Sequence, residues 1–200
     1  WFRFKGRVPR EWAGQEVIAR VHTGGEACLF DLTTGAPLQG LDVNRDDWRI
    51  ATRAKGGEAV ELLVEAAGSS LFGLSTIPIE QRDTYKFKLD RAELTCFRRD
   101  VWDLQNDVDV VWDIVQTLDE EHPHRAKLML ALNDVCNTIG DLAPSAIRRC
   151  REILAPTMAG PANASAHKVS AIGHAHIDVA WLWPLRETVR KCSRTFSTAI

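Results

Sequence analysis

The stretch Gly173-His174-Ala175-His176-Ile177-Asp178-Val179-Ala180-Trp181-Leu182-Trp183-Pro184 gathers two imidazoles, a carboxylate and two indoles in twelve residues. In an extended strand successive side chains alternate between faces, so His174, His176 and Asp178 would project to one side. Imidazole nitrogen and carboxylate oxygen are the donors that hold zinc at about 2.0–2.2 Å, and a catalytic zinc keeps a position open for water or substrate. A lone histidine more often satisfies a buried backbone group, caps a helix or sits in solvent. Two imidazoles and a carboxylate beside aromatic rings are costly to bury without a compensating partner, and the pattern points to a metal site.

The flanking elements fit that chemistry. His167–Ile172 reads as a short buried strand leading into the motif. Pro184 opens a helix with Glu187 in its first turn and Arg190, Lys191 and Arg194 later, a charge order suited to the helix dipole. Strand, polar loop and helix are the opening of an α/β catalytic domain, and open sheets and barrels collect their sites at the C-terminal ends of strands.

Upstream, Trp1 to about Leu89 alternates short apolar runs with turn residues. The runs include Glu16–Val21, Ala27–Phe30 and Val60–Val64, and the turns are Gly24-Gly25, Thr33-Thr34-Gly35, Gly56-Gly57 and Gly68-Ser69-Ser70. Strands at this spacing predict a β-sandwich. Arg91–Leu118 then carries apolar residues at three- and four-residue steps, predicting an amphipathic helix broken near Arg98. Similar runs cover Arg125–Ile139 and the residues after Pro144. Pro156–Ser165, rich in Ala, Gly and Pro, reads as a linker. The predicted layout is a β-sandwich over 1–90, a helical segment over 91–155, a linker over 156–166, and the first strand and helix of a barrel-like α/β domain over 167–200. The chain starts without Met inside an apparent strand and stops at Ile200 inside an apparent helix, the expectation for a fragment.

Composition narrows the partners. A net charge of -2 offers no concentrated basic face for nucleic acid or an anionic membrane. No apolar run approaches the roughly 18–20 residues of a membrane span. Five scattered cysteines with no CxxC pair predict neither a disulfide framework nor a thiolate zinc site, and suit a reducing cytoplasm. The sequon Asn163-Ala164-Ser165 points weakly the other way.

The run from Gly173 to Thr188 closely resembles the opening of the catalytic domain in glycoside hydrolase family 38 α-mannosidases, most of all their cytosolic and vacuolar branch. Glu11-Trp12-Ala13-Gly14, Gly24-Gly25-Glu26-Ala27, Pro37–Leu41, Glu61–Ala67 and Leu71-Phe72-Gly73 resemble that branch's N-terminal β-domain, and Val101–Leu104 the start of its helical segment. The resemblance implies that His176 and Asp178 are metal ligands, that His174 lies beside the site without being a ligand, and that Trp181 stacks under the mannose at the cleavage point. A sugar's C–H face favours an aromatic surface while its hydroxyls seek hydrogen bonds, which makes that last role physically sound. Zinc, or cobalt in some members, is the implied cofactor. The implied activity is retaining hydrolysis of terminal α-D-mannose from mannose-containing oligosaccharides through two carboxylates. Nucleophile, acid/base and remaining ligands match nothing in residues 1–200, so the resemblance implies no catalytic residue within the chain, an inactive 200-residue fragment and a homo-oligomeric full-length protein.

Two other readings remain open on the residues. Barrel hydrolases of the amidohydrolase type also place His-x-His at a first strand's end, which makes His174 and His176 an alternative ligand pair. Residues 1–155 are alternatively a binding or assembly module. The remaining features have plainer explanations: His122-Pro123-His124 after Asp119-Glu120-Glu121 is a solvated loop, Asp107, Asp109 and Asp113 are a helix's wet face, and Trp1, Trp12 and Trp48 are core or edge packing.

Overall fold

The computed structural model describes residues 1–68, 87–159, 165–181 and 183–199. Ser69-Ser70, Leu71-Phe72-Gly73, Asn163-Ala164, Leu182 and Ile200 lie outside these. Two compact units are present, Trp1–Phe97 with Ala171–Ile200, and Arg98–Ser170.

The first unit is a sandwich of antiparallel strands: β1 (Phe2–Arg7), β2 (Val17–His22), β3 (Ala27–Phe30), β4 (Pro37–Leu41), β5 (Asp47–Ala51), β6 (Ala59–Ala66) and β7 (Arg91–Cys96). One sheet runs β1-β6-β3-β4 and the other β5-β2-β7. Alternation selects the core. Val60, Leu62 and Val64 of β6 point inward, as do Val17, Ala19 and Val21 of β2, and they meet over Leu29, Leu41 and Val8. Trp12 and Trp48 pack against this core, whereas Trp1 is mostly exposed and rests on Phe30 with its ring tilted at 50°. Turn chemistry behaves as expected: Asp31 Oδ1 accepts from the Thr33 and Thr34 amides, and Gly56 takes φ +81° with the Arg10 carbonyl 2.7 Å from where a Cβ would stand.

The helix predicted from Arg91 is corrected at its start. Arg91–Cys96 is strand β7, registered against β2 from Val17↔Cys96 to His22↔Arg91. A free edge on β2 outweighs the local helical spacing there. Helix α1 (Arg99–Thr117) begins just beyond Arg98, and α2 (Pro123–Thr138) and α3 (Pro144–Met158) follow. These helices form the second unit, with a core of Leu104, Val111, Val115, Leu128, Val135, Ile147, Cys150 and Leu154 at helical steps. Asp107 and Asp103 pair with Arg151 across α1 and α3, while Asp109 and Asp113 are exposed. His122 is more than a loop residue: its Nδ1 caps α2 by accepting from the His124 amide. Helix α3 runs through Pro156 to Met158, three residues beyond the end expected at 155.

The buried strand expected at His167–Ile172 does not form. That segment has no regular secondary structure and is exposed, with Val169 and Ile172 at 87% and 86%, and no described strand runs beside it to pair its backbone. No barrel is built by the described residues. Helix α4 (Leu185–Ala199) instead packs on β4 of the sandwich. No described helix is long and apolar enough to cross a membrane.

Close approach at Gly40 makes the α4–β4 contact possible. A Cβ there would lie 2.5 Å from the Arg194 carbonyl oxygen and 2.9 Å from Thr198 Oγ1, and the Gly40 amide donates to that same hydroxyl at 2.9 Å. Gly40→Ala is expected to push α4 off the strand and destabilise the chain by about 1–3 kcal/mol, the range for overpacking. Urea unfolding of the two proteins measures the difference, and equal midpoints would refute the contact.

Candidate functional site

Helix α4 buries its polar face. Thr188, Lys191 and Arg194 are 7%, 3% and 5% exposed, while Leu185, Val189 and Phe196 on another side face solvent. The inward face meets carboxylates supplied by the sandwich. Glu26, immediately before β3, accepts from Lys191 Nζ at 2.7 and 2.9 Å and from Arg194 Nη2 at 3.2 Å. Glu187 pairs with Arg194, and Arg190 bridges Glu187 at 3.3 Å and Glu65 of β6. Glu26, Lys191 and Arg194 thus neutralise one another out of water, with Glu65 and Glu187 largely buried beside them and Arg190 reaching in from the surface, although Arg194 Nε and Nη1 find no partner among the described residues. Cys28, fully buried nearby, has its thiol pushed up to about 11 by burial, a rise that Arg194 partly offsets, and it stays protonated and inert at neutral pH.

The same helix holds the tryptophans. Ala180 sits at φ +61°, a left-handed conformation that a residue with a Cβ adopts reluctantly, and its amide donates to Thr188 Oγ1 at 3.1 Å. Trp183 Nε1 donates to the same hydroxyl at 3.2 Å, and Lys191 Nζ lies 4.3 Å from the Trp183 ring centre. Trp181 meets Trp183 edge to face at 5.5 Å with 56% of its surface open. Trp183 therefore does more than fill space, since it connects the exposed indole to the buried network.

His176, Asp178, Trp181 and His174 all line one open cavity of about 680 Å3. His176 Nε2 and Asp178 Oδ1 stand 3.1 Å apart, and both side chains are accessible. With a proton on Nε2 this is a hydrogen bond. Two ligands held at about 2.0–2.1 Å by a tetrahedral ion stand roughly 3.3 Å apart, so the pair also fits two neighbouring positions around a cation that replaces the proton. His174 has no hydrogen-bond or ion-pair partner among the described residues, and no group of three or more metal-binding side chains converges there.

The jelly-roll topology and the motif have counterparts in known proteins. Residues 1–95 match the family described as "Alpha-mannosidase, jelly roll domain", and residues 166–200 match "Glycosyl hydrolases family 38 N-terminal domain". The whole chain aligns with mouse and human "Alpha-mannosidase 2C1" at 31% and 32% identity, and with "Alpha-mannosidase G" of Dictyostelium discoideum at 25%. Over its whole length the chain is similar to the family 38 α-mannosidases. It spans about a fifth of the length of these relatives, 20% of the mouse and human proteins and 19% of the Dictyostelium one.

The sequence alone did not point to Glu26, Glu65 and Thr188, and it suggested for Lys191 and Arg194 only a charge order suited to the helix dipole. A signal was available: positions 188, 191, 194, 195 and 198 are one helical face that is wholly polar, while 185, 189 and 196 are apolar. Such an inversion marks a helix that buries charge. Glu26→Ala strips the shared acceptor from two buried cations and is expected to destabilise the chain by about 3–5 kcal/mol. A loss under about 1 kcal/mol in urea titration, the scale of exposed ion pairs, would mean the network is solvated.

Proposed function

We propose that the protein carrying this chain is a metal-dependent retaining α-mannosidase that removes terminal α-D-mannose from mannose-containing oligosaccharides. The observation that carries the reading is the convergence of His176, Asp178 and Trp181 on one cavity, within the stretch that matches the family 38 domain. The names of the relatives support the same activity.

In this reading His176 Nε2 and Asp178 Oδ1 hold zinc, with cobalt as the alternative. An ion held by these two side chains would supply a Lewis acid toward the sugar hydroxyls. Trp181 offers its open face to the C–H side of the same ring, and Trp183 with Thr188 and Lys191 holds that indole in place. His174 stands at the rim and shapes the pocket without coordinating. The two carboxylates of the retaining displacement are not assigned among residues 1–200, so this chain alone does not turn over an α-mannoside. The sandwich serves as a dock, gripping α4 through Glu26 and Glu65. Five free thiols support a cytoplasmic location.

Two donors leave a zinc ion at least two protein ligands short, and water fills the remainder. Titration calorimetry of the 200-residue chain should accordingly give weak zinc binding that Asp178→Asn removes, while full-length protein bearing His176→Ala or Asp178→Asn loses α-mannoside hydrolysis that neither zinc nor cobalt restores. Full activity in both variants would sink the assignment. Zinc binding abolished by His174→Ala but kept in Asp178→Asn would transfer it to a His174–His176 pair.

A further inference from the structure

The cavity that holds the His176–Asp178 pair is only partly built by that segment. Its other lining comes from the sandwich, including Asp42, Asn44 and Arg45 in the small hairpin turn, closed by an Asp42–Arg45 bridge, that links β4 to β5 of the other sheet. A volume near 680 Å3 lies within the roughly 300–1,000 Å3 typical of sites that enclose drug-sized ligands, and exceeds what one hexose ring fills. If one ring lies over Trp181, space remains beside the hairpin.

Those hairpin side chains are arranged to receive a ligand. Asp42 Oδ1 accepts from the amides of Asn44 at 2.7 Å and Arg45 at 3.1 Å, and the Asp42 and Arg45 backbones exchange bonds of 2.9 and 3.2 Å. The turn is thereby fixed before anything binds, in the manner of an Asx turn. The strand behind it is fixed too, since Leu41 is buried and Gly40 is clamped under α4. Yet Asn44 and Arg45 are exposed, and neither the Asn44 carboxamide nor the Arg45 guanidinium has a partner among the described residues. A carboxamide offers donors and an acceptor, and a guanidinium a fork of donors, which suits pairs of neighbouring hydroxyls. The lining sets the carboxylates Glu26, Asp42 and Asp178 against the cations Arg45, Lys191 and Arg194, so it carries no net charge and best matches a neutral, hydroxyl-rich ligand.

We infer that the Asp42–Arg45 hairpin turn forms a second saccharide subsite, in which Asn44 and Arg45 hydrogen-bond the neutral sugar linked to the terminal mannose. This rests on the mannosidase reading and adds that the sandwich selects among oligosaccharides as well as docking the helix.

The test uses the full-length protein and two substrates, an aryl α-mannoside and α-mannobiose. The readout is the ratio of kcat/KM for mannobiose to that for the aryl mannoside. Asn44→Ala/Arg45→Ala is expected to lower this ratio by about 10-fold or more, the scale of losing one or two hydrogen bonds to substrate hydroxyls. Val43→Ser, at the exposed hairpin tip and outside the cavity lining, should preserve it. A wild-type protein active on both substrates, with an unchanged ratio in the double variant, overturns the hairpin subsite and leaves the mannosidase reading standing. A wild-type protein that hydrolyses neither substrate overturns both.

Discussion

A salt bridge that has left water behind controls how this chain is put together. Moving a charged side chain into a protein interior is unfavourable by several kcal/mol, and only close, well-directed counter-charges offset it. Lys191, Arg194 and Glu26 meet that condition together or not at all. Their burial leaves α4 little freedom to slide. Rotating the helix by one residue turns each side chain by about 100°, which would move Lys191 and Arg194 off Glu26 and break the buried contact between helix and sandwich. An apolar face would tolerate that slip. Gly40 sharpens the constraint by letting the two backbones approach until the Thr198 hydroxyl reaches a strand amide.

How much of this was readable from the residues depends on where the information lies. The sandwich was legible because its strands write their burial into alternation, as Val60, Leu62 and Val64 do, and because Asp31 and Gly56 carry turn chemistry. Strand β7 was not, because Leu94 and Phe97 are spaced as they would be on a helix and only the open edge of β2 makes Arg91–Cys96 a strand. The reverse happened at His167–Ile172, where an apolar run promised a buried strand that no described neighbour completes.

The site divides in the same way. His174, His176, Asp178 and Trp181 were legible because they are adjacent in sequence and chemically unusual. Glu26 and Asn44 were not, because each lies more than a hundred residues from the motif and looks like an ordinary surface group beside a glycine or a turn. Their relevance comes from folding alone. The one hint available in sequence was the inverted amphipathicity of α4, which is visible once polar positions are counted around the helix as carefully as apolar ones.

The buried network and the exposed indole are parts of one mechanical path. Lys191 uses its ammonium twice, donating to both Glu26 oxygens and lying over the face of Trp183. Thr188, one turn earlier, accepts from Trp183 and from the strained Ala180. Trp181 leans on Trp183 by its edge. The orientation of the open indole is therefore set by groups on the far side of the helix, in the sandwich, rather than by contacts of its own. Ala180 explains why so many supports are needed. A residue with a Cβ held at positive φ relaxes if its amide is released, and that relaxation would swing both indoles away together. A polar helix face buried at considerable desolvation cost is a reasonable solution to that problem: directed hydrogen bonds and a charge over a ring fix an angle, which apolar packing of the same area does less strictly.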